Sequence, residues 1–570
     1  MRILLPVFLS LLFISANAQL LIRNVSIVDV ENKKLQASQD VLVSDGIITD
    51  VGKNLKTKEG VQIIDGTGKW LMPGLVDAHV HFFQSGGLYT RPDAIDLRKE
   101  KPQEKEIAWV HQNMESFLRR YTMAGITSVI DVGSTENFLR QRDSFRTKQY
   151  APAVYMTGPL LTTYEPPIFE NLGEDKPFYL MKTREEGSAY VQKQLPLKPD
   201  FIKIWYILLG ANKDSAARAS LQMVQAVIDE AHRNNLRVAV HATERITAML
   251  SVQAGADYLV HDVEDEPVDN SFIQLLKSKG TVLCPTLVVA GNYMRALGGS
   301  YKPTDEDYYY AHPTPLNSMF DMNFLKDSLL VKQYKTMISN NVALFKKEDS
   351  IRYTNLKKMA DAGVTIATGT DAGNIGTHHV SSYFDELRAM QDAGMNTWSL
   401  LQASTINGAK AIGRQNEFGA IKKGLSADMI LLSKNPVDGI DNWRTVEWVI
   451  NKGVVLKPGS ILKNNAVELA DQQLAAYNAH NLEAFVAPYS EDVEIFDLST
   501  NKLQVKGKDA MRKHYAFLNE VEILHCNLVN RIVEGNFVID HEEIITKNGK
   551  FYGVAIYEVK DGKIIRVWFP

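Results

Sequence analysis

Cysteine is almost missing from this chain. The two that occur, Cys284 and Cys526, lie far apart in 570 residues and exclude a disulfide framework. An excess of basic charge is missing too. Lys and Arg number 63 against 67 Asp and Glu, a net charge of -4, which leaves no footprint for nucleic acid. No apolar run reaches the roughly 20 residues that span a bilayer, and no short-period repeat or low-complexity stretch occurs. What remains is the composition of a soluble globular protein, 45% hydrophobic and 23% charged, in a chain too long for one ordinary domain.

Residues 1–18 read as an export signal. Arg2 supplies the positive start, ILLPVFLSLLFISA the short apolar core, and Ala16 to Ala18 (ANA) a small-residue cleavage site before Gln19. No cysteine follows that site, so no lipid anchor is expected. The mature chain is expected to be periplasmic or secreted, and free of the membrane once the signal is removed.

Residues 19–70 contain short β-rich runs broken by Asp-Gly and Gly turns, and a similar texture returns over 414–463. Between them, over 71–413, short apolar strands alternate with amphipathic helices, the pattern of a parallel sheet built from βα units. Eight strands are predicted, at 75–82, 127–133, 153–161, 201–205, 237–242, 257–261, 281–287 and 364–371. Eight is the number that closes a TIM-type barrel, so the fold class is α/β, a (β/α)8 barrel. The insertion 288–352 is long enough to cover an active site. From 466 to 570 two helical segments precede a rapid succession of strands, a separate α+β domain.

One stretch raises a chemical question. In GLVDAHVHFF, Gly74 to Phe83, strand alternation puts His79 and His81 on one face. Two neutral imidazoles side by side can chelate a metal ion; two histidines hydrogen-bonded near a strand end would look the same. The other strands tilt the balance. Lys203 lies in strand four, His241 near the end of strand five, His261 ends strand six, and Asp371 ends strand eight in TGTDAG. Each alone has a structural explanation: a core histidine, a barrel lysine paired with a carboxylate, an N-cap aspartate. All six fall on the rim where barrel enzymes build their sites.

The order His-x-His, Lys, His, His, Asp resembles the amidohydrolase superfamily. The flanking PGLVDAHVH, VAVHA, GADYLVHD, TGTDAG, LLQASTINGAKAIG and GAIKKGLSADMILLSKNP resemble its imidazolonepropionase and Zn-dependent prolidase-like branch. The resemblance covers about 20–460. It implies a distorted (β/α)8 barrel with the flanking strands folded as a small composite β-sandwich. It further implies two divalent metal ions, Zn suiting the donor set. His79, His81 and Asp371 would hold the more buried ion and His241 and His261 the more exposed one. Lys203 would be carboxylated to an anionic carbamate that bridges them. The implied activity is hydrolysis of an amide or related C–N bond of a small molecule (a peptide, an N-acyl amino acid or a cyclic amide) by a metal-activated hydroxide, with Asp371 passing the proton to the leaving amine. The corresponding class is a metal-dependent hydrolase of carbon–nitrogen bonds, non-peptide or dipeptide.

There are departures. The branch often has a histidine at the end of strand three, where this chain has MTGPLL, and a tyrosine shortly after the strand-five histidine, where it has Thr243. The glycine that usually follows the strand-six histidine is Asp262. These bear on substrate choice, and His378, with His379, is a candidate for substrate contact. The other readings are a deaminase or lactonase of the same superfamily, or a non-catalytic binding protein, whose signature would be a lost ligand. The C-terminal segment resembles the SnoaL-like, nuclear-transport-factor-2-like cone. It is expected to bind a small ligand or to carry a homo-oligomer contact; Asp540 and His541 in VIDHEEI are its acid–base pair for a catalytic alternative.

Overall fold

The computed structural model describes residues 19–569, and the expected export signal lies outside them. Among the described residues no helix is long and apolar enough to cross a membrane. Both cysteines are buried and free.

The barrel is built strand by strand from apolar runs buried on both faces, as parallel sheets require. Leu75–Val80 pairs with Ile126–Asp131, and that strand with Ala153–Met156. Leu160–Thr162 pairs with Ile202–Trp205, which pairs with Val238–His241; Tyr258–Val260 and Val282–Cys284 follow in order, all parallel. The eighth position has no ladder of its own. A segment around Ile366 bonds on one side to Leu283 (Ala367 N to Leu283 O, 2.8 Å) and on the other to the first strand (Ala78 N to Thr368 O, 2.9 Å; His81 N to Ala372 O, 2.8 Å). The ring is thereby closed.

Two of the eight predicted strands differ in detail. The third is split, its halves pairing with different neighbours. Pro159 has no N–H to give a ladder, and the Gln194 amide donates to its carbonyl instead (2.7 Å). The eighth, predicted as a strand over 364–371, forms only isolated bridges, and Asp371 at its end takes a left-handed backbone (φ +62°).

Strands from both ends of the barrel sequence share one eight-stranded sheet. Trp70–Pro73 lies between Gln19–Asp29 and Met429–Leu432. The sheet folds over its own core of Leu20, Ile22, Val41, Leu71, Met429 and Leu431, and its far strand returns to the segment before Met429 (Ile48 N to Leu425 O, 2.9 Å).

The C-terminal unit is α+β. Helix Ala466–Asn478 packs on a six-stranded sheet that runs outward to an edge strand, Leu524–Glu534. It docks on the barrel through helix Gln103–Met123 and the predicted insertion. Glu468 pairs with Arg120 (2.8 Å), Asp471 accepts from Thr314 (2.7 Å), and Asn478 donates to Asn317 (2.8 Å). His525 faces Asp321 (3.2 Å), and Asp321 accepts from Tyr89, on a loop over the barrel mouth (2.9 Å). The insertion therefore serves two purposes. Helix Val288–Leu297 lines the barrel cavity with Val289, Ala290 and Tyr293, while residues around 313–323 carry the second domain.

Candidate metal centre

At the C-terminal ends of the barrel strands lies a cavity of ≈ 440 Å³ whose wall includes His79, His81, Lys203, His241, His261 and Asp371. Strand register explains part of this. Trp205 stands opposite His241 and Lys203 opposite Ala239, so Lys203, Trp205 and His241 share a face. His261 and Asp371 come just past their strands, each at positive φ (+77° and +62°). Such backbone is costly for residues other than glycine and clusters at functional sites.

The donor atoms converge. His79 Nε2 lies 3.3 Å from His81 Nε2, and Asp371 Oδ1 lies 3.1 and 3.0 Å from the same two nitrogens. The other carboxylate oxygen, Oδ2, lies 4.0 Å from His261 Nε2, so Asp371 faces both groups of histidines. The rings of His241 and His261 are 4.4 Å apart, and those of His79 and His261 5.0 Å.

The set fits a metal on three counts. Four-coordinate zinc with ligand bonds of about 2.0–2.1 Å has ligand–ligand edges of about 3.3–3.4 Å, close to the triangle found here. Asp371 Oδ1 is buried without a hydrogen bond despite its close neighbours, as expected of an oxygen aimed at a shared point. The protonation states also suit it. Burial holds His79 down at about 4 and holds His241 and His261 well below the usual histidine range. Burial alone would raise Asp371, but the imidazoles of His79, His81 and His261 hold it well below the ordinary carboxylate range. Burial likewise pushes Lys203 down to about 7, only partly opposed by Asp371.

A second layer orients these groups. His81 Nδ1 bonds to Gly133 O (2.7 Å) and His261 Nδ1 to Thr286 Oγ1 (2.6 Å), which leaves each Nε2 facing the cavity. Asp77 accepts from Thr370 Oγ1 (2.9 Å), tying the first strand to the closing segment. Asp131 accepts from Phe82 N (2.9 Å) and Gly133 N (3.1 Å). Burial raises both Asp77 and Asp131 to about 7. Asp77 stands two residues before His79, on the same strand face, and that spacing was the available signal for it.

Contact here is close enough to demand glycine. A Cβ on Gly369 would stand 2.6 Å from both Cys284 Sγ and His79 N. Gly369→Ala is expected to cost about 1–3 kcal/mol by overpacking and to displace His79. A lowered Tm together with reduced metal content, measured on one preparation, checks this; an unchanged value of both would show that the strands can part freely.

Around the donors the wall is mixed. Leu160, Phe178, Trp205, Val289 and Ala290 are apolar. Arg91, on the loop after the first strand, forks onto Asp93 (2.8 and 2.6 Å) and also donates to Asn374 Oδ1, which accepts from Tyr293 as well (2.8 Å). Across the mouth Arg352 reaches Glu264 (3.5 Å), which burial raises to about 7. These polar residues of the mouth were not found by sequence reasoning. Thr243 and Asp262, at the departures noted above, do line the cavity. His378 does not. It is buried, with neither ring nitrogen hydrogen-bonded, and its ring meets Tyr301 at 5.6 Å. His379 stacks on Phe82 and bonds to Tyr121 (3.0 Å) and to Gln84 O (2.9 Å), a packing role.

Dihydropyrimidinase of Dictyostelium discoideum is 39% identical over 72 residues, 13% of this chain and only 14% of its own length. Ochratoxinase of Aspergillus niger is 23% identical over 454 residues, 75% of this chain and 83% of that one. Among solved structures, a Xaa-Pro dipeptidase with bound methionine superposes with a TM-score of 0.57 at 22% identity, covering 77% of this chain and all of that one. A SnoaL-like domain matches residues 470–567. The amidohydrolase family matches residues 70–456, more than half of the chain, and the protein belongs to the amidohydrolase family.

Proposed function

We propose that this protein is a binuclear metal-dependent amidohydrolase that acts outside the cytoplasm on an amide or related C–N bond of a small molecule. The observation that carries the reading is the convergence of four imidazoles, one lysine and one carboxylate on a single cavity wall, with the donor atoms of His79, His81 and Asp371 within 3.3 Å of one another. His79, His81 and Asp371 would hold one divalent ion, His241 and His261 the other, and Lys203, carboxylated by CO2, would be shared between them. Zn suits these donors. When bound, the ions make a water acidic enough to ionise near neutral pH and polarise the scissile carbonyl.

The chain's own groups do the rest. Asp371, kept ionised by its histidine neighbours, accepts the proton of the attacking water and returns it to the leaving nitrogen. Leu160, Phe178 and Trp205 exclude water from the apolar part of the substrate, and Arg91 and Asn374 offer polar contacts to its other end. Similarity to an ochratoxinase and to a Xaa-Pro dipeptidase supports an amide substrate. The exposed Val529, Ile532 and Val533 near the edge of the C-terminal sheet support self-association of that domain, which sedimentation velocity would test.

Protein reconstituted with Zn in bicarbonate should approach two metal ions per chain by elemental analysis. Content fixed at one or below would sink the binuclear reading. The same preparation, screened with N-acyl amino acids, dipeptides, cyclic amides and lactones, should release amine products. Turnover confined to lactones would favour the lactonase alternative, and ammonia release from an amino-substituted ring the deaminase.

A further inference from the structure

The C-terminal domain has a cavity of its own, ≈ 270 Å³, between helix Ala466–Asn478 and the inner face of its sheet. It is small but within reach of ordinary ligand pockets, which are mostly apolar with a few placed polar groups. Rings dominate its wall. Tyr477, Phe485, Tyr515, Tyr557 and Phe569 surround the interior, and Phe551 stands half-exposed at its mouth.

One carboxyl points into this aromatic space. Strand Phe537–Thr546 alternates, so Asp540 and Glu542 turn inward while His541 is exposed. Asp540 is consumed by a two-pronged pair with Arg531 (2.6 and 2.7 Å), and Arg531 also holds Asp471 (2.6 Å). The Asp540–His541 pair of the catalytic alternative is therefore not a site. Glu542 is different. It lines the cavity, is 8% exposed, and forms no ion pair among the described residues. Its hydrogen bond from Tyr557 OH is long (3.3 Å), and Tyr557 is itself held by Gln473 (3.0 Å). Burial pushes Glu542 up to about 7, which marks a carboxyl short of a positive partner.

A buried carboxylate with spare lone pairs calls for a donor, and a charged donor gains most there. Aromatic faces attract the same charge, since their quadrupoles favour a cation above the ring. We propose that this cavity is a second small-molecule site that takes an apolar primary amine, with the ammonium against Glu542 and the apolar body among the rings. The proposal does not depend on the reading of the barrel.

Isothermal titration of the full-length, metal-loaded protein with 2-phenylethylamine hydrochloride tests it. Saturable binding tighter than about 1 mM is expected. Glu542→Gln, which keeps the shape and removes the charge, should weaken it by about tenfold or more. Phe551→Ala, a change at a half-exposed position, should weaken it severalfold. The neutral analogue 2-phenylethanol should bind at least about tenfold more weakly than the amine. Because Glu542 lies outside the barrel, its loss locates the binding in this domain. Absence of saturable binding, undiminished binding in both variants, or equal affinity for the alcohol and the amine would each overturn the proposal.

Discussion

Asp371→Asn should lower turnover of the best amide substrate by at least about 10²–10⁴-fold, the usual worth of positioned general acid–base assistance, with much of the metal retained. The backbone should tolerate the change, because residue 371 sits at φ +62° and asparagine is among the few residues that accept that region. One oxygen remains near His79 and His81, so the site keeps a donor. What is lost is the basic carboxylate that those imidazoles hold ionised. His378 cannot take over, since it is buried beside Tyr301 and away from the cavity. Rate, metal content and Tm measured together decide the matter. A folded variant that holds two ions and turns over within a few fold of the parent would remove Asp371 from proton transfer.

Groups on the strands were legible in the sequence because strand geometry is local. A period of two puts His79 and His81 on one face, and a strand-end position puts Lys203, His241, His261 and Asp371 on one rim. The polar groups around the cavity mouth were not legible, because they arrive from loops and from the insertion. Arg91 reaches Asn374 across 283 residues of chain, and Arg352 arrives from a helix inside the insertion. No local pattern announces such a meeting. Proximity in sequence misled in the opposite direction. His378 follows Asp371 closely, yet positive-φ turns at Gly373 and Gly376 carry it into the packing behind the site. In the cone the same strand rule works at finer grain. VIDHEEI displays Asp540 and His541 as neighbours, but alternation separates them and brings Glu542 to the cavity instead. The eighth barrel strand was legible as a position and not as a ladder, since its final residues spend their geometry on presenting Asp371.

Lys203→Ala should lose the second metal ion and lower turnover by at least about 100-fold, since even changes one shell farther from a metal commonly cost 10–100-fold. The lysine is 1% exposed, inside a barrel where an ammonium would repel the ions its neighbours are arranged to hold. Carbamate formation would resolve that conflict: the free amine nitrogen would attack CO2, release one proton, and become an anionic oxygen donor. Burial supports the step by holding the amine down at about 7, against the pull of Asp371. The sign for pH follows. Above about 7 the amine is free to take CO2; below it, a proton occupies the nitrogen and carboxylation is disfavoured. Bicarbonate should therefore promote uptake of the second ion more at pH 8 than at pH 6 in the parent protein, and at neither pH in the variant. A small carboxylate such as propionate, placed in the space the alanine leaves, should return part of both metal and rate. A Lys203→Ala protein with two ions per chain and the parent's rate would make the lysine a packing residue, and the six-donor reading of the site would shrink to five.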